Sequence, residues 1–532
     1  MKDRSSGIAI LSHPEPSISS LIMAPPKHIQ KLTTTPTKEN LPASRSGRAL
    51  LSDRSVSGPR ASLPGKGNSN GSPAKPAASA PEYLETDEGV TLLAPCGDLV
   101  LEFQHTQAAI ETIAFRVRIA ALTAHSTYFA RLLDRTGPFA EGATVAKALD
   151  ELRSKHADSA SIPTIDLPRA RIEEVGQISR VSSIKPLLLD FLGILHGVRS
   201  SKEGVVRSAK MPMKNVANLA VVADRFGATG IVGAWVTNNI SLNAPNAGDK
   251  LGEEQVRQRL CTGILLGLDK WVSTYSLQLL QMGSPQWVYD TTAETAQYMW
   301  SYLPRGVEEE LQYRREHVLL GIASLQNHIV TTFSSRTRKC ALGYDSSPQC
   351  DSFQLGEFIK FLSRIGTFNI QASFAPGPDS ADVDFEDDIR TLVASLRTCP
   401  AYQVDSNHGH CGPKKSLMTG LLYIEHFLTE SSAGICWQCW EDPRTEQRWT
   451  DAKPPLRFDR KSAGKGAFRF EVGSCARASQ HAMARDFFLA KDKGWEDILE
   501  SVAANPALRL SSQGWVLKHP DLLQNSLQRA GV

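Results

Sequence analysis

The sequence lacks several features that each mark a familiar class of protein. No apolar run approaches the roughly 20 residues that span a bilayer, so no membrane-spanning helix is expected. Ser, His and Pro interrupt the apolar residues near the N-terminus, so a secretion signal is not expected either. The nine cysteines among 532 residues are an odd and modest number, which favours free thiols or a metal site in a reducing compartment. These absences predict a nuclear or cytoplasmic protein that is not secreted.

Sequence motifs of enzymes are also missing. The chain has no phosphate-binding P-loop, no His-Glu-x-x-His zinc-protease motif and no dinucleotide-binding glycine pattern. A Gly-x-Ser-x-Gly match at residues 67–71 is flanked by Pro, Gly and Lys, without the strand-to-helix turn that the hydrolase motif requires. Ser, His and Asp never occur in a context that would assemble a nucleophile and its base. We therefore predict a protein that is not an enzyme.

Charge is distributed unevenly along the chain, although the formal net charge is only +3. Residues 1–80 contain eleven basic and four acidic side chains, whereas the remainder contains 48 basic and 52 acidic ones. The same segment holds ten of the thirty prolines and fifteen serines, and it has no Phe, Tyr or Trp. Such a composition cannot bury enough apolar surface to fold, so residues 1–82 are predicted to be a disordered basic tail. The remaining chain is not broadly basic, unlike a typical nucleic-acid-binding fold.

Residues 90–242 combine strand and helix patterns. Alternating apolar and polar residues predict strands over 97–103 and 115–119, and a short edge strand over 164–168. Apolar faces at helical spacing predict four helices, which cover 126–133, 187–196, 216–226 and 231–240. Residues 142–162 are weakly periodic and are predicted to form an inserted loop. The pattern predicts an α+β fold in which helices flank a small mixed sheet.

Six sequence elements in this region occur in a recognisable order. They are Asp98, Phe115, Ser126–Phe129, Phe139–Glu141, the Leu-rich run 187–197 and the Leu-Ala-x-x-Ala-Asp-x-Phe run Leu219–Phe226. In this order they resemble the BTB/POZ domain, which is a protein-interaction module. Two features depart from that family, because Val117-Arg118 replaces its common Ala-His pair and residues 81–96 show no clear dimer-forming helix.

The resemblance implies an adaptor or scaffold whose partners are other proteins. Members that bind cullins use the stretch corresponding to Phe139 and Glu141 to dock the ubiquitin-ligase scaffold, so these residues and Asp98 are candidate partner-binding residues. Self-association through the same domain is the other implied contact. Alternatively, Phe139 closes the small core and Glu141 is simply solvated. A different hypothesis is a nuclear, transcription-associated regulator whose basic tail makes weak, nonspecific contacts with nucleic-acid phosphates.

Residues 252–430 are predicted to be a mainly helical extension. Leu311, Val318 and Ile329 belong to one apolar stripe on a long helix over 306–334, which faces the chain's own core or a coiled-coil partner. The sequence after this helix contains a cysteine, a Cys-Asp pair and, later, a His-Cys pair. In this order they resemble the region that follows the BTB domain in uncharacterised fungal proteins. Residues 431–532 are not assigned to a fold family.

Cysteine and histidine residues of the extension are candidate ligands of a structural zinc ion. The proposed set is Cys340, Cys350, His410 and Cys411, with His408 and Cys399 in reserve. Nine residues separate the first pair, which is wider than the usual spacing of two to four, so buried thiols and a surface histidine are the alternative. The sequence Cys436-Trp437-Gln438-Cys439 has no second pair at a regular spacing, and local packing of its tryptophans is expected instead.

Overall fold

The structure is a computed structural model, and all the residues it describes lie in one compact unit that begins after residue 76. The described residues are 86, 89–105, 111–156, 162–179, 181, 183–197, 211–240, 251–287, 298–340, 342, 347–367, 388–408, 411–429, 433–441, 448–459 and 475–504. The tail predicted over residues 1–82 lies outside them. Within the described ranges, no helix is both long enough and apolar enough to cross a membrane.

Four strands form one mixed sheet in the order β1-β3-β2-β4. The strands are β1 (Val90–Leu92), β2 (Leu99–His105), β3 (Glu111–Val117) and β4 (Arg169–Ile172). Strands β2 and β3 pair antiparallel with Leu101 opposite Phe115, whereas β1 runs parallel to β3 and β4 runs parallel to β2. The small mixed sheet of the predicted α+β class is therefore present.

Side chains of β2 alternate between two hydrophobic clusters, as the two-residue period of a strand dictates. Leu99, Leu101 and Phe103 enter the main core, whereas Val100 packs on the opposite face of the sheet. The edge strand begins later than predicted, because Thr164–Asp166 forms a 3-10 turn. Pro168 has no N–H to donate, and its carbonyl accepts a hydrogen bond from the Val100 N–H at 3.0 Å, so strand pairing starts there.

Helices cover the faces of this sheet. They are α1 (Ile119–His125), α2 (Thr127–Leu132), α3 (Ala140–Lys155), α4 (Ile184–Leu195), α5 (Met213–Arg225) and α6 (Thr229–Asn239). The four helices predicted in this part of the chain correspond to α2, α4, α5 and α6. Their apolar faces enter the main core, where Phe226 at the end of α5 lies among the rings of Phe103, Tyr128, Phe129 and Phe191.

Helix α3 occupies residues that were predicted to form an inserted loop over 142–162. The prediction is wrong for 142–155, because a narrow stripe made by Val145 and Leu149 is enough to dock this helix while most of its other side chains stay exposed. Gly142 permits the close approach, since a Cβ atom there would lie 2.1 Å from the backbone oxygen of Asp134. Residues 157–161 of the predicted loop lie outside the described residues.

Helices dominate the rest of the described chain. They are α7 (Glu253–Leu266), α8 (Asp269–Met282), α9 (Val307–Ser334), α10 (Ser347–Arg364), α11 (Ile389–Arg397), α12 (Lys414–Thr429), α13 (Trp437–Glu441), α14 (Ala478–Leu489) and α15 (Trp495–Ala504). The predicted apolar stripe of α9 is buried in the chain's own core and does not face a coiled-coil partner. Helix α5 packs against α7, so one continuous hydrophobic core extends from the sheet to α15.

Candidate metal centres

Three cysteines and one histidine converge near the C-terminal end of α9. The ligand atoms of Cys340, Cys350, His408 and Cys411 all lie within 4.8 Å of one another. His408 Nδ1 is 3.5 Å from Cys340 Sγ and 3.7 Å from Cys411 Sγ, and these two sulfur atoms are 3.7 Å apart. We call this group the first cluster.

Three segments of the chain carry the side chains of the first cluster. Cys340 follows the end of α9, Cys350 lies in the first turn of α10, and His408 ends a 3-10 turn. Cys411 is fixed to that turn because its N–H donates to the His408 carbonyl at 3.0 Å. The Lys339 N–H donates to Asp351 Oδ2 at 2.8 Å, which ties the chain at Cys340 to α10.

The two ring nitrogens of His408 face different groups. Nδ1 faces the sulfur atoms, while Nε2 lies 3.8 Å from Asp405 Oδ2 on the opposite side. Metal-ligating histidines commonly donate their second ring N–H to a carboxylate, and Asp405 lies on that side of the ring but beyond hydrogen-bond distance. Gly412 turns the chain away with a φ of +104°, a conformation that favours glycine, and a Cβ there would lie 2.4 Å from Gln354 Oε1.

The chemistry of the first cluster suits a soft divalent cation. In a tetrahedral zinc site with Zn–S bonds of about 2.3 Å, two sulfur ligands lie about 3.8 Å apart and sulfur and nitrogen about 3.6 Å apart. The observed separations match both values. Burial raises the pKa of Cys350 to about 12, and the neighbouring Cys411 and Cys340 thiols add to the shift. A buried thiol in that setting ionises when a cation compensates its charge, so the cluster could bind a metal such as zinc.

A second group of the same composition lies farther along the chain. The ligand atoms of Cys436, Cys439, Cys475 and His481 also lie within 4.8 Å of one another. Cys436 Sγ is 3.6 Å from Cys475 Sγ, and Cys439 Sγ is 3.5 Å from His481 Nδ1. This second cluster has the same three-cysteine, one-histidine donor set and could likewise bind a metal such as zinc.

The second cluster joins two segments. Cys436 and Cys439 lie at the start of α13, and Cys475 and His481 lie at the start of α14. The hydrogen bond between Cys436 and Cys439 lowers the pKa of Cys436 to about 3 and raises the pKa of Cys439. Of these two thiols, Cys436 is therefore the easier to ionise, and the thiolate is the form in which cysteine binds metal.

The sequence prediction and the structure agree on part of the first cluster. Cys340, Cys350 and Cys411 are brought together, and the reserve residue His408 is the imidazole that meets them. His410 lies outside the described residues. Cys399, the other reserve, is buried away from the cluster, where its thiol donates to the Pro400 carbonyl.

The second cluster was not predicted as a metal site. Its Cys-x-x-Cys pair was recognised, but Cys475 and His481, which complete the set, lie about forty residues farther along the chain. The tryptophans do pack as expected, since Trp437 and Trp440 are both buried. The sequence does offer one indication of the third cysteine ligand, because Cys475 is the only cysteine that follows Cys439.

The candidate partner-binding residues occupy different environments. Phe139, directly before α3, has 46% of its surface exposed, and Glu141 is exposed in the first turn of that helix. Asp98 has a structural contact, because its Oδ1 accepts a 2.8 Å hydrogen bond from the Ile119 N–H at the start of α1.

Comparisons of the chain with protein-family models, with curated proteins and with solved structures found no match. Membership of the BTB/POZ family therefore stays a prediction, and what the chain does has to be argued from its own residues.

Proposed function

We propose that the protein is a non-enzymatic adaptor or scaffold whose BTB/POZ-like module binds other proteins. One contact carries the proposal, because two of the sequence elements that resemble the BTB/POZ domain meet although 100 residues separate them. Ser126 Oγ donates to the Phe226 carbonyl at 2.5 Å and accepts from the Phe129 N–H at 3.1 Å. The rings of Phe129 and Phe226 stack with centroids 5.3 Å apart. These motifs thus act as one packing unit, which is what a shared fold would require of them.

A partner surface on this module would include Phe139 and Glu141. An exposed aromatic ring beside an acidic side chain is a suitable anchor, since aromatic residues supply much of the binding energy at protein interfaces. Buried Val145 and Leu149 hold α3 against the module, so Phe139 directly before the helix and Glu141 in its first turn are presented by a packed element. The proposed partner is a cullin scaffold, in the role of a ubiquitin-ligase substrate adaptor.

Affinity purification of the full chain followed by mass spectrometry tests this function. Wild-type protein should recover a cullin, and Phe139→Ala or Glu141→Lys should reduce that recovery at least tenfold. Matched controls are Phe353→Ala, another exposed phenylalanine, and Glu151→Lys, an exposed acid on the same helix, which should recover wild-type amounts. Failure of the wild-type chain to recover any cullin would refute the cullin-adaptor role.

We also propose that the first cluster holds a structural zinc ion. Its three cysteines and His408 form a closed set of four ligands, which leaves no open position for a substrate in a tetrahedral site. The ion would fix the chain after α9 against His408, Cys411 and the start of α10. Metal analysis of the purified full chain should show that Cys340→Ser loses one equivalent of zinc. Wild-type zinc content in that variant would refute the assignment.

A further inference from the structure

The second cluster is built from two segments that the helical core holds in different ways. The segment that carries Cys436 and Cys439 is anchored by buried polar contacts with the preceding helices. Arg314 Nη1 donates to the Gly434 carbonyl at 2.6 Å, and the Ile435 N–H donates to Ser276 Oγ at 2.8 Å. These bonds place the Cys-x-x-Cys pair independently of any ion.

The opposing segment is positioned by aromatic packing. Phe487 and Phe488 of α14 lie against Phe427 of α12, with ring centroids 5.4 and 5.7 Å apart. One turn or more before them, His481 is 5% exposed, and its Nδ1 points at Cys439 Sγ. Its Nε2 has no hydrogen-bond partner among the residues that the structure describes. Because Nδ1 is the nitrogen that faces the sulfur atom, it is the atom that would bind a metal held among the cysteines.

From this geometry we propose that Cys436, Cys439, Cys475 and His481 bind a second zinc ion, which clasps the segment 475–504 onto residues 433–441. The spacing is Cys-x2-Cys followed by Cys-x5-His, so two close pairs come from separate segments, as in many structural zinc sites. Three thiolates and one imidazole leave the loaded site with one negative charge. The Arg477 N–H, which points at Cys475 Sγ at 3.4 Å, is placed to offset part of that charge.

Arg305 links the second cluster to the BTB/POZ-like module. Arg305 adopts a φ of +64°, which is unusual for a residue with a side chain. Its Nη1 lies 2.9 Å from Glu441 Oε1, and its guanidinium carbon lies 5.4 Å from the centroid of the Trp437 ring. Its Nη2 lies 3.9 Å from Asp224 Oδ1 on α5 of the module. Helix α13, which contains Cys439 and directly follows Cys436, is therefore connected to the module, and zinc binding should make that connection more rigid.

Metal analysis of the full chain, purified from zinc-supplemented cells, tests the site. Wild-type protein should contain two zinc equivalents. Cys439→Ser and His481→Ala should each contain one, and so should Cys340→Ser, which empties only the first cluster. Cys96→Ser, which changes an exposed cysteine outside both clusters, should keep two. A wild-type zinc content in both Cys439→Ser and His481→Ala would overturn the proposal.

A cobalt measurement keeps the result interpretable if a variant folds poorly. The wild-type chain, stripped and reloaded with cobalt, should show thiolate-to-metal absorbance from six cysteines, and His481→Ala should show about half of it. Amide hydrogen exchange then tests the connection through Arg305. Exchange over residues 219–226 should rise in Cys439→Ser and in Arg305→Ala, but not in Cys340→Ser. Unchanged exchange in Cys439→Ser would refute the connection to the module. Whether the second cluster binds zinc is tested separately, by the zinc stoichiometry.

Discussion

The carboxylate of Glu308 accepts several hydrogen bonds inside the helical extension, and its neutralisation gives a sharp test of the structure. Its oxygens accept from Arg257 at 2.7 and 2.8 Å, from Trp287 Nε1 at 2.5 Å and from the Leu303 N–H at 3.0 Å. The side chains of Glu308 and Arg257 are each 4% exposed. Glu308→Gln keeps the size of the side chain but turns an amide toward a buried guanidinium.

The loss of folding stability in Glu308→Gln follows from the charge of Arg257, which stays buried. Removal of one member of a buried ion pair costs about 3–5 kcal/mol, because the other charge stays buried. Glu253 still pairs with Arg257 at 2.8 Å, so the lower end, about 3 kcal/mol, is expected. The compact unit has about 320 described residues, and with an unfolding entropy of about 2.1 cal/mol/K per residue this loss lowers Tm by about 4 °C.

The assay is thermal unfolding followed by circular dichroism at pH 7, on zinc-loaded protein. Glu309→Gln is the matched control, because Glu309 is the next residue and is exposed, so its Tm should stay within about 1 °C of wild type. A Tm loss below about 2 °C for Glu308→Gln would contradict the reasoning, since it would mean that the pair contributes less than a buried pair should.

Acid should narrow the difference between Glu308→Gln and the wild type. Burial alone would raise the pKa of Glu308, but hydrogen bonds and the charge of Arg257 outweigh it and hold the pKa below its ordinary value. The stabilisation is therefore complete above the unfolded-state pKa of about 4.3 and is lost as pH falls through the lower folded-state pKa. A constant difference between the two proteins down to pH 3 would contradict this assignment.

Two further predictions concern other parts of the chain. Gly142→Ala should destabilise the module by about 1–3 kcal/mol in urea unfolding, because its Cβ would meet the Asp134 backbone, whereas Gly356→Ala, which meets nothing within 4 Å, should not. Burial lowers the pKa of Lys493 to about 7, so the unfolded chain binds more protons and wild-type stability rises between pH 7 and 9. Lys493→Met should lack that increment of about 2 kcal/mol, and equal increments in both proteins would contradict the assignment.

The sequence was informative about elements whose pattern is strong. The β2–β3 hairpin and helices α4, α5 and α9 carry dense apolar faces, so their periodicity predicted them within a few residues. Helix α3 was missed because two buried residues one turn apart leave too weak a period to recognise. Its docking depends on the backbone at Asp134, which is a tertiary feature that no pattern within α3 contains.

The ligands of the two metal centres could likewise be predicted only in part from the sequence. Cys340, Cys350 and Cys411 were proposed from their order, but the choice between two neighbouring histidines depends on the turn that ends at His408. The two-residue gap between His408 and Cys411 was the available signal, since it matches the ligand spacing of common zinc sites. For the second cluster, nothing in the spacing of Cys436 and Cys439 indicates which distant side chains complete the set.

Buried charges on α9 explain why local sequence patterns do not reveal the second cluster. Glutamates in the first turn of a helix are expected to face solvent and interact with the helix dipole, yet Glu310 is 1% exposed. It accepts from Arg314 at 2.6 Å and from the Trp449 N–H at 2.8 Å, while Arg314 also donates to the Gly434 carbonyl. This pair therefore positions the chain on both sides of the Cys-x-x-Cys motif. The location of these ligands is set by a helix more than 100 residues earlier, through charges that a hydrophobic pattern assigns to the surface.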